Sequence, residues 1–139
     1  MSGVLLNKGQ EDVVDVYFTN NVNVHSILYI GLMIQTTNPS LNSTLGSGIT
    51  EITGAGYGRI AINAVDWTRS GQVVQALPKT FTVGAGGWSS VNGYFIADTI
   101  TGGNALMCEC FAIEQQGDKY ENDTIKVTAK YEQKDNSES

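Results

Sequence analysis

Alternation of apolar and polar residues is the main pattern along this chain. Between residues 79 and 83, Phe81 and Val83 alternate with Thr80 and Thr82, and from residue 125 to 131 apolar positions alternate with Lys and Thr. Successive side chains of an extended strand point to opposite faces of a sheet. A period of two therefore predicts half-buried β-strands in both segments, with the apolar face directed into a core.

Longer apolar segments predict the centre of the fold. The run from His25 to Ile34 is typical of a strand that is covered on both faces. Two further segments joined by Gly102 and Gly103 predict a β-hairpin, because paired glycines suit a tight turn. The hairpin strands and two additional predicted strands are Val91 to Ala97, Ala105 to Ile113, Tyr57 to Ala64 and Gln72 to Leu77. The strand from Gln72 to Leu77 is predicted to pair with the strand from Lys79 to Val83.

The N-terminal segment has a different pattern. Asn7 followed three positions later by Gln10 resembles a capping box, and acidic residues come directly after it. Val13 with Tyr17 and Val14 with Phe18 are spaced four apart, as on one face of a helix. This spacing predicts one short amphipathic helix from Lys8 to Thr19.

Together these elements predict a mainly β protein of one domain, residues 1–133, followed by a flexible polar tail, residues 134–139. Seven or eight short strands with turns between them favour a β-sandwich or jelly roll that carries one short N-terminal helix. The segment from Gln35 to Ser47 is rich in Thr, Asn and Ser, which predicts a long exposed connection.

Composition changes this picture in one respect. Only 16% of the 139 residues are charged, against about 25% in an average soluble domain. So low a surface charge removes one deterrent to association, and it favours burial of part of the surface in an oligomer or a larger particle. The net charge of −6 makes nucleic acid an improbable partner.

The cysteines and the apolar runs indicate the cellular compartment in which the protein is made. Cys108 and Cys110 lie two apart on one predicted strand, where side chains are poorly placed to form a disulfide, so we expect two reduced thiols. Both faces of that strand are apolar, which requires cover from a second sheet and from something else, such as a neighbouring subunit. The apolar runs are too short to span a bilayer as helices, and the chain begins without a secretory signal. We therefore expect no membrane partner and synthesis in a host cytoplasm.

Candidate chemistry is sparse. The single histidine, His25, has no ligand-type neighbours in sequence and is interpreted as structural. The acidic turn containing Asp118, Glu121 and Asp123 lacks the spacing of a calcium loop and is interpreted as a solvated turn. The glycine-rich segments 54–58 and 84–87 lack the Lys-Ser/Thr ending of a phosphate loop and are interpreted as turns. We predict no catalytic residues, no metal and no cofactor, and hence no enzyme.

Four large side chains are candidates for contacts with another molecule. Trp67 and Trp88 stand at the edges of predicted strands, beside polar or glycine residues. Tyr57 and Arg59 lie on the face of the predicted half-buried strand 57–64 that is opposite Ile60 and Ile62. Tyr, Trp and Arg dominate the energetics of protein interfaces, so these four are predicted assembly contacts. The alternative is that they are ordinary core aromatics and their neighbours.

The order of several segments resembles that of small virion proteins of tailed bacteriophages. The likeness extends over residues 4–131 and depends on the order of the segments, because each is short. The segments are Leu5-Leu-Asn-Lys-Gly-Gln10, Tyr29-Ile-Gly-Leu32, Ile49-Thr-Glu-Ile-Thr-Gly-Ala-Gly-Tyr-Gly-Arg59, Trp67, Phe81-Thr-Val83, Trp88, Gly93-Tyr-Phe-Ile96 and Gly102-Gly-Asn104.

This resemblance implies a non-enzymatic structural role, with head decoration as the first expectation. A decoration or cement protein would bind the major capsid protein on the outer surface of the head, as a trimer, and stabilise the shell. The alternative that the resemblance leaves open is a tail or fibre component. There the protein would be a receptor-binding module, with Trp67, Trp88 and tyrosines stacking on host surface glycans.

Overall fold

The computed structural model describes residues 4–11 and 27–132. Within these ranges the chain is mainly β, as predicted, and it forms a β-sandwich-like domain with one short helix. Most of the predicted N-terminal helix, His25 and the polar tail lie outside the described residues. The strands are β1 (Val4–Leu5), β2 (Ile27–Met33), β3 (Thr44–Leu45), β4 (Gly48–Ile49), β5 (Ile60–Asn63), β6 (Trp67–Ser70), β7 (Val73–Ala76), β8 (Lys79–Thr82), β9 (Trp88–Val91), β10 (Gly93–Ala97), β11 (Ala105–Cys110), β12 (Gly117–Lys119), β13 (Thr124–Val127) and β14 (Lys130–Glu132).

The helical residues are few. Residues 7–11 are helical, and two 3-10 helices span Ala64–Asp66 and Ile113–Gln115. The predicted capping box is not formed, because both of its backbone N–H groups bond to carbonyls: that of Gln10 donates to Leu6 and that of Asn7 donates to Leu41. The side chains of Asn7 and Gln10 donate instead to the side chain of Asn42 and the carbonyl of Leu5.

The main sheet has five strands in the order β1-β11-β10-β2-β5, and all its pairings are antiparallel. The hairpin predicted around Gly102 and Gly103 is confirmed as β10 and β11, which pair from Gly93 with Cys110 to Ala97 with Ala105. A register shift between Ile96 and Ala97 places one extra residue in β11. Such a bulge bends the strand and increases its local twist.

The larger core lies between one face of the main sheet and the smaller sheets, which are β14-β7-β6, β12-β9 and β13-β8. Phe81 and Val83 are buried here and their neighbouring threonines are exposed, as the alternation predicts. Packing of two sheet layers face to face gives the sandwich its core. The main sheet contributes Ile30, Leu32, Tyr94, Ile96 and Met107, and the smaller sheets contribute Ala76, Phe81, Trp88, Val91, Ile125 and Val127.

A second, smaller core covers the opposite face of the main sheet. Phe95 and Cys108 are fully buried there against Leu6 and Ile49 of the same chain. The two apolar faces of β11 are therefore confirmed, and the chain itself supplies the second cover. A neighbouring subunit is not needed to bury this face.

Three expectations about strands are wrong in detail. The predicted last strand is divided into β13 and β14, because β13 pairs with β8 and β14 pairs with β7. The strand predicted from Tyr57 begins at Ile60. Strands β7 and β8 are both formed, but they pair with different partners rather than with each other.

Candidate functional site

The structure brings three of the four predicted contact residues together. Tyr57, Arg59 and Trp88 form a single cluster around the segment that runs from Glu51 to Arg59. Trp67 lies apart from them, on β6 in the three-stranded sheet. The prediction that these residues contact another chain remains a prediction.

Arg59 is held by a dense set of hydrogen bonds. Its Nε and Nη2 donate to the two carboxylate oxygens of Glu51, both at 2.9 Å. Its Nη1 donates to the carbonyl oxygens of Thr99 and Gly102 at 2.8 and 2.9 Å, and the guanidinium carbon lies 5.1 Å from the centre of the Phe95 ring. The side chain is only 3% exposed, and the hydrogen bond to Glu51 raises its pKa, so the charge is permanent. Arg59 therefore joins the 51–59 segment to the β10–β11 turn.

Tyr57 belongs to the same network. Its hydroxyl donates to Glu51 Oε2 at 2.6 Å and accepts from the backbone N–H of Leu32 at 3.0 Å. Burial of the phenol, helped by its bond to the Glu51 carboxylate, raises its pKa well above the usual value. The phenol is thus a neutral structural link between the segment and β2.

Trp88 is a core residue. The side chain is 2% exposed, and its indole N–H donates to the carbonyl of Ala55 at 2.8 Å. The ring meets Tyr57 edge to face at 5.5 Å between centroids, and Tyr57 stacks on Phe81 at 6.2 Å. Within the chain, Trp88 is therefore an ordinary core aromatic, which is the alternative to a contact residue.

Trp67 has a more open position. It is half-buried, and it directly follows the 3-10 helix Ala64–Asp66. Asp66 accepts from the backbone N–H of Asn63 and from Lys79 Nζ, and these bonds lower the pKa of its carboxyl group. Val65, next to Trp67 in sequence, is 88% exposed. This corner of the sandwich presents apolar surface to the solvent.

Two concave regions differ in how their polar groups are used. A cleft of about 360 Å³ lies between residues 51–59 and the turn at 100–102, and Tyr57, Arg59 and Glu51 line it. These side chains are bound to one another, as described above. The cleft is therefore part of the internal framework of the fold.

A second region, which we call the 111–126 groove, has a volume of about 490 Å³. It is lined by Phe111, Glu114, Gln115, Lys119, Asp123, Thr124, Ile125 and Lys126. Sequence reasoning missed it, because it treated the acids here as a solvated turn. The sequence shows that polar residues flank Phe111 and Ile125, and this local pattern does not distinguish a groove from a solvated turn.

A buried carboxylate lies on β11. Glu109 is 8% exposed and accepts a hydrogen bond from the hydroxyl of Tyr94 at 2.9 Å, while that hydroxyl accepts from the backbone N–H of Lys130 at 3.3 Å. Burial raises the pKa of Glu109, and burial likewise raises the pKa of Tyr94. This chain of bonds joins the hairpin to β14.

The chemistry of the remaining groups is limited. Cys108 and Cys110 are free thiols, as expected, and burial raises the pKa of Cys108 to about 12. Among residues 4–11 and 27–132, no group of three or more His, Cys, Asp or Glu side chains is arranged to hold a metal ion. Within the same ranges, no helix has the length and apolar character required to cross a membrane.

Comparison with known proteins identifies a family. A family model described as podophage GP4 fiber I protein gp80 matches residues 5–133, a range that includes both cores, the cleft and the groove. No curated protein matches the chain. The family match confirms the resemblance to structural proteins of tailed-phage virions. The chain therefore belongs to the podophage GP4 fiber I protein gp80 family and is a structural component of a phage virion.

Proposed function

We propose that this protein is a component of a podophage tail fibre and that its role is structural and adhesive rather than catalytic. The observation that carries the proposal is the family match over residues 5–133, since the family is described as a fibre protein. The match spans the whole described sandwich, so the proposal concerns the domain as a unit.

The use of polar groups in the domain supports a non-catalytic role. Glu51, Arg59 and Tyr57 are the most densely bonded polar side chains near the cleft, and their partners are one another and backbone carbonyls. A general acid or base needs a group that is free to exchange a proton with a substrate. These groups instead rigidify the segment that carries them.

Head decoration is the competing location within the virion. Low charge and a strand with two apolar faces favour head decoration if both features require cover from a neighbouring subunit. The second face is covered by Leu6 and Ile49 of the same chain, which weakens that argument. The low charge of 16% fits burial in either assembly. A trimer is proposed for the fibre as well, whereas the major capsid protein is a partner only for the decoration role.

The experiment that tests the proposal compares virions with and without this protein. Deletion of its gene is expected to leave DNA packaging and the thermal stability of the head unchanged, and to reduce the rate of adsorption to host cells. Immunogold labelling of intact virions is expected to mark the tail. Quantitative mass spectrometry of the same particles gives the copy number.

Two results would overturn the fibre proposal. One is labelling over the whole head with a copy number close to that of the capsid subunits. The other is a deletion virion that adsorbs normally but releases its DNA at a lower temperature than the parent. Either result would support decoration of the head, because a cement protein acts by binding the assembled shell.

A further inference from the structure

The 111–126 groove is formed by three elements that the fold fixes independently. The 3-10 helix Ile113–Gln115 forms one wall, β12 contributes Lys119, and the exposed side of β13 contributes Thr124 and Lys126. Strand β13 pairs with β8 along one edge, and its inward residue Ile125 is anchored in the larger core. The groove is therefore a preformed concave surface on a rigid strand pair.

The polar groups of this groove are largely uncommitted. Within the part of the chain that the structure describes, the side chains of Glu114, Thr124 and Lys126 make no hydrogen bond or ion pair with another residue. In the cleft, by contrast, the carboxylate of Glu51 accepts three hydrogen bonds from protein groups. Uncommitted donors and acceptors in a concave site are available to a ligand at the cost of displacing water alone.

The charges in the groove cancel. Glu114 and Asp123 are balanced by Lys119 and Lys126, and Asp123 and Lys119 are further engaged by the backbone of Tyr120 and Gln115. An anionic or a cationic polymer would meet two like charges in the groove, which disfavours both. A neutral ligand with many hydroxyl groups can bond to carboxylate, ammonium and hydroxyl partners alike.

The ring of Phe111 supplies an apolar surface in the groove. It is half-buried against the core, and it lies 6.4 Å from the ring of Tyr94, which holds it in place. A fixed aromatic ring provides an apolar platform at low entropic cost. A sugar ring combines an apolar face of C–H groups with a rim of hydroxyls, and this combination fits the groove.

We propose that the 111–126 groove binds a segment of a neutral polysaccharide of the host cell surface. This inference rests on the proposed fibre role, because a tail fibre is the part of a virion that meets the host envelope. It assigns the binding to Phe111, Glu114, Thr124 and Lys126 rather than to Trp67 and Trp88.

The test is an NMR titration of the full-length protein with oligosaccharides released by mild acid from the envelope of the host. The released material is separated into a neutral and an acidic fraction. Neutral fragments are expected to shift the amide signals of Phe111, Glu114 and Thr124, with saturation at millimolar concentration or below. Acidic fragments are expected to bind at least about tenfold more weakly.

Matched variants locate the site. Thr124→Ala and Glu114→Ala are each expected to weaken binding about tenfold, because each removes a side-chain group of the protein that hydrogen-bonds to the ligand. Thr82→Ala is the control for Thr124→Ala, since Thr82 is its cross-strand partner and is exposed outside the groove. Glu121→Ala is the control for Glu114→Ala, as an exposed acid of the neighbouring turn.

Four results would overturn the inference. They are the absence of shifts at millimolar concentration, shifts confined to the cleft at residues 51–59, equal binding of the acidic fraction, and concentration-dependent self-association that buries the groove. Tail labelling without oligosaccharide binding would reject the groove and leave the fibre role intact. Groove binding by a protein found on the head would reject the fibre role instead.

Discussion

The guanidinium of Arg59 and the carboxylate of Glu51 are joined by two parallel hydrogen bonds, Nε to Oε2 and Nη2 to Oε1, both 2.9 Å long. The planar fork of arginine matches a carboxylate in this geometry, which a lysine cannot reproduce. Because Nη1 of the same side chain binds two carbonyls of the β10–β11 turn, one residue fixes two separate loops. The pair is therefore an organising element of the fold.

Substitution Arg59→Lys is expected to lower the free energy of unfolding by about 2–3 kcal/mol. A lysine keeps the charge but cannot reproduce the paired bonds to Glu51 together with the bonds to Thr99 and Gly102, in a side-chain position that is only 3% exposed. Urea unfolding followed by circular dichroism measures the change. Arg69→Lys on the exposed strand β6 is the control and is expected to shift stability by less than about 0.5 kcal/mol. Equal effects of the two substitutions would contradict an organising role for the pair.

The sequence predicts the strands of this fold better than their partners. Alternation around Phe81 identifies β8, and the paired glycines identify the β10–β11 hairpin, because both signals are local. The division of the last strand at Thr128 and Ala129 has no local signal. It arises because β13 and β14 pair with strands that are distant in sequence, and the chain must turn between them.

The same reasoning explains what was missed at the candidate site. The alternation predicts Arg59 on the outer face of a half-buried strand, yet its side chain is buried. Glu51 and two backbone carbonyls offset the cost of desolvating its charge. Alternation reports which side chains are apolar, and it carries no information on polar groups that find partners inside the protein. The 111–126 groove was missed for a related reason, since a concave surface is made by elements that meet only after folding.

Tryptophan accessibility is expected to differ sharply between the two indoles. In the variant Trp67→Phe only Trp88 remains, and its 2% exposure predicts blue-shifted emission and weak quenching by iodide. In Trp88→Phe only half-buried Trp67 remains, and quenching should be several-fold stronger. Trp88→Phe also removes the bond to Ala55 and should cost about 1–2 kcal/mol of stability. Quenching of Trp88 as strong as that of a free indole would place it on the surface and restore it as a contact residue.

The thiols are expected to be unreactive in the native protein. Burial raises the pKa of Cys108 to about 12 and also raises the pKa of Cys110, so neither is a thiolate at pH 8. A disulfide reagent should therefore react slowly with the folded protein and rapidly with both thiols in urea. Because the folded pKa of Cys108 exceeds the unfolded value near 8.5, its contribution to stability is complete below that pH and is lost between about pH 8.5 and pH 12. The variant Cys108→Ala should lose this part of the alkaline dependence, and an unchanged pH profile would contradict the assignment.

Substitution Gly84→Ala tests whether the glycine-rich segments are packing elements or ligand loops. A Cβ at residue 84 would overlap the carbonyl of Ala55 and lie 3.2 Å from the backbone nitrogen of Gly56, so two glycine-rich segments are in direct backbone contact. Backbone atoms cannot move aside as a flexible side chain can, and the expected loss is about 2 kcal/mol or more. Gly58→Ala is the matched control within one of these segments, because a Cβ there has open space and the backbone has no positive φ. A stability close to that of the parent is expected for Gly58→Ala. If Gly84→Ala unfolded at the same urea concentration as this control, close packing would not explain the glycine at residue 84.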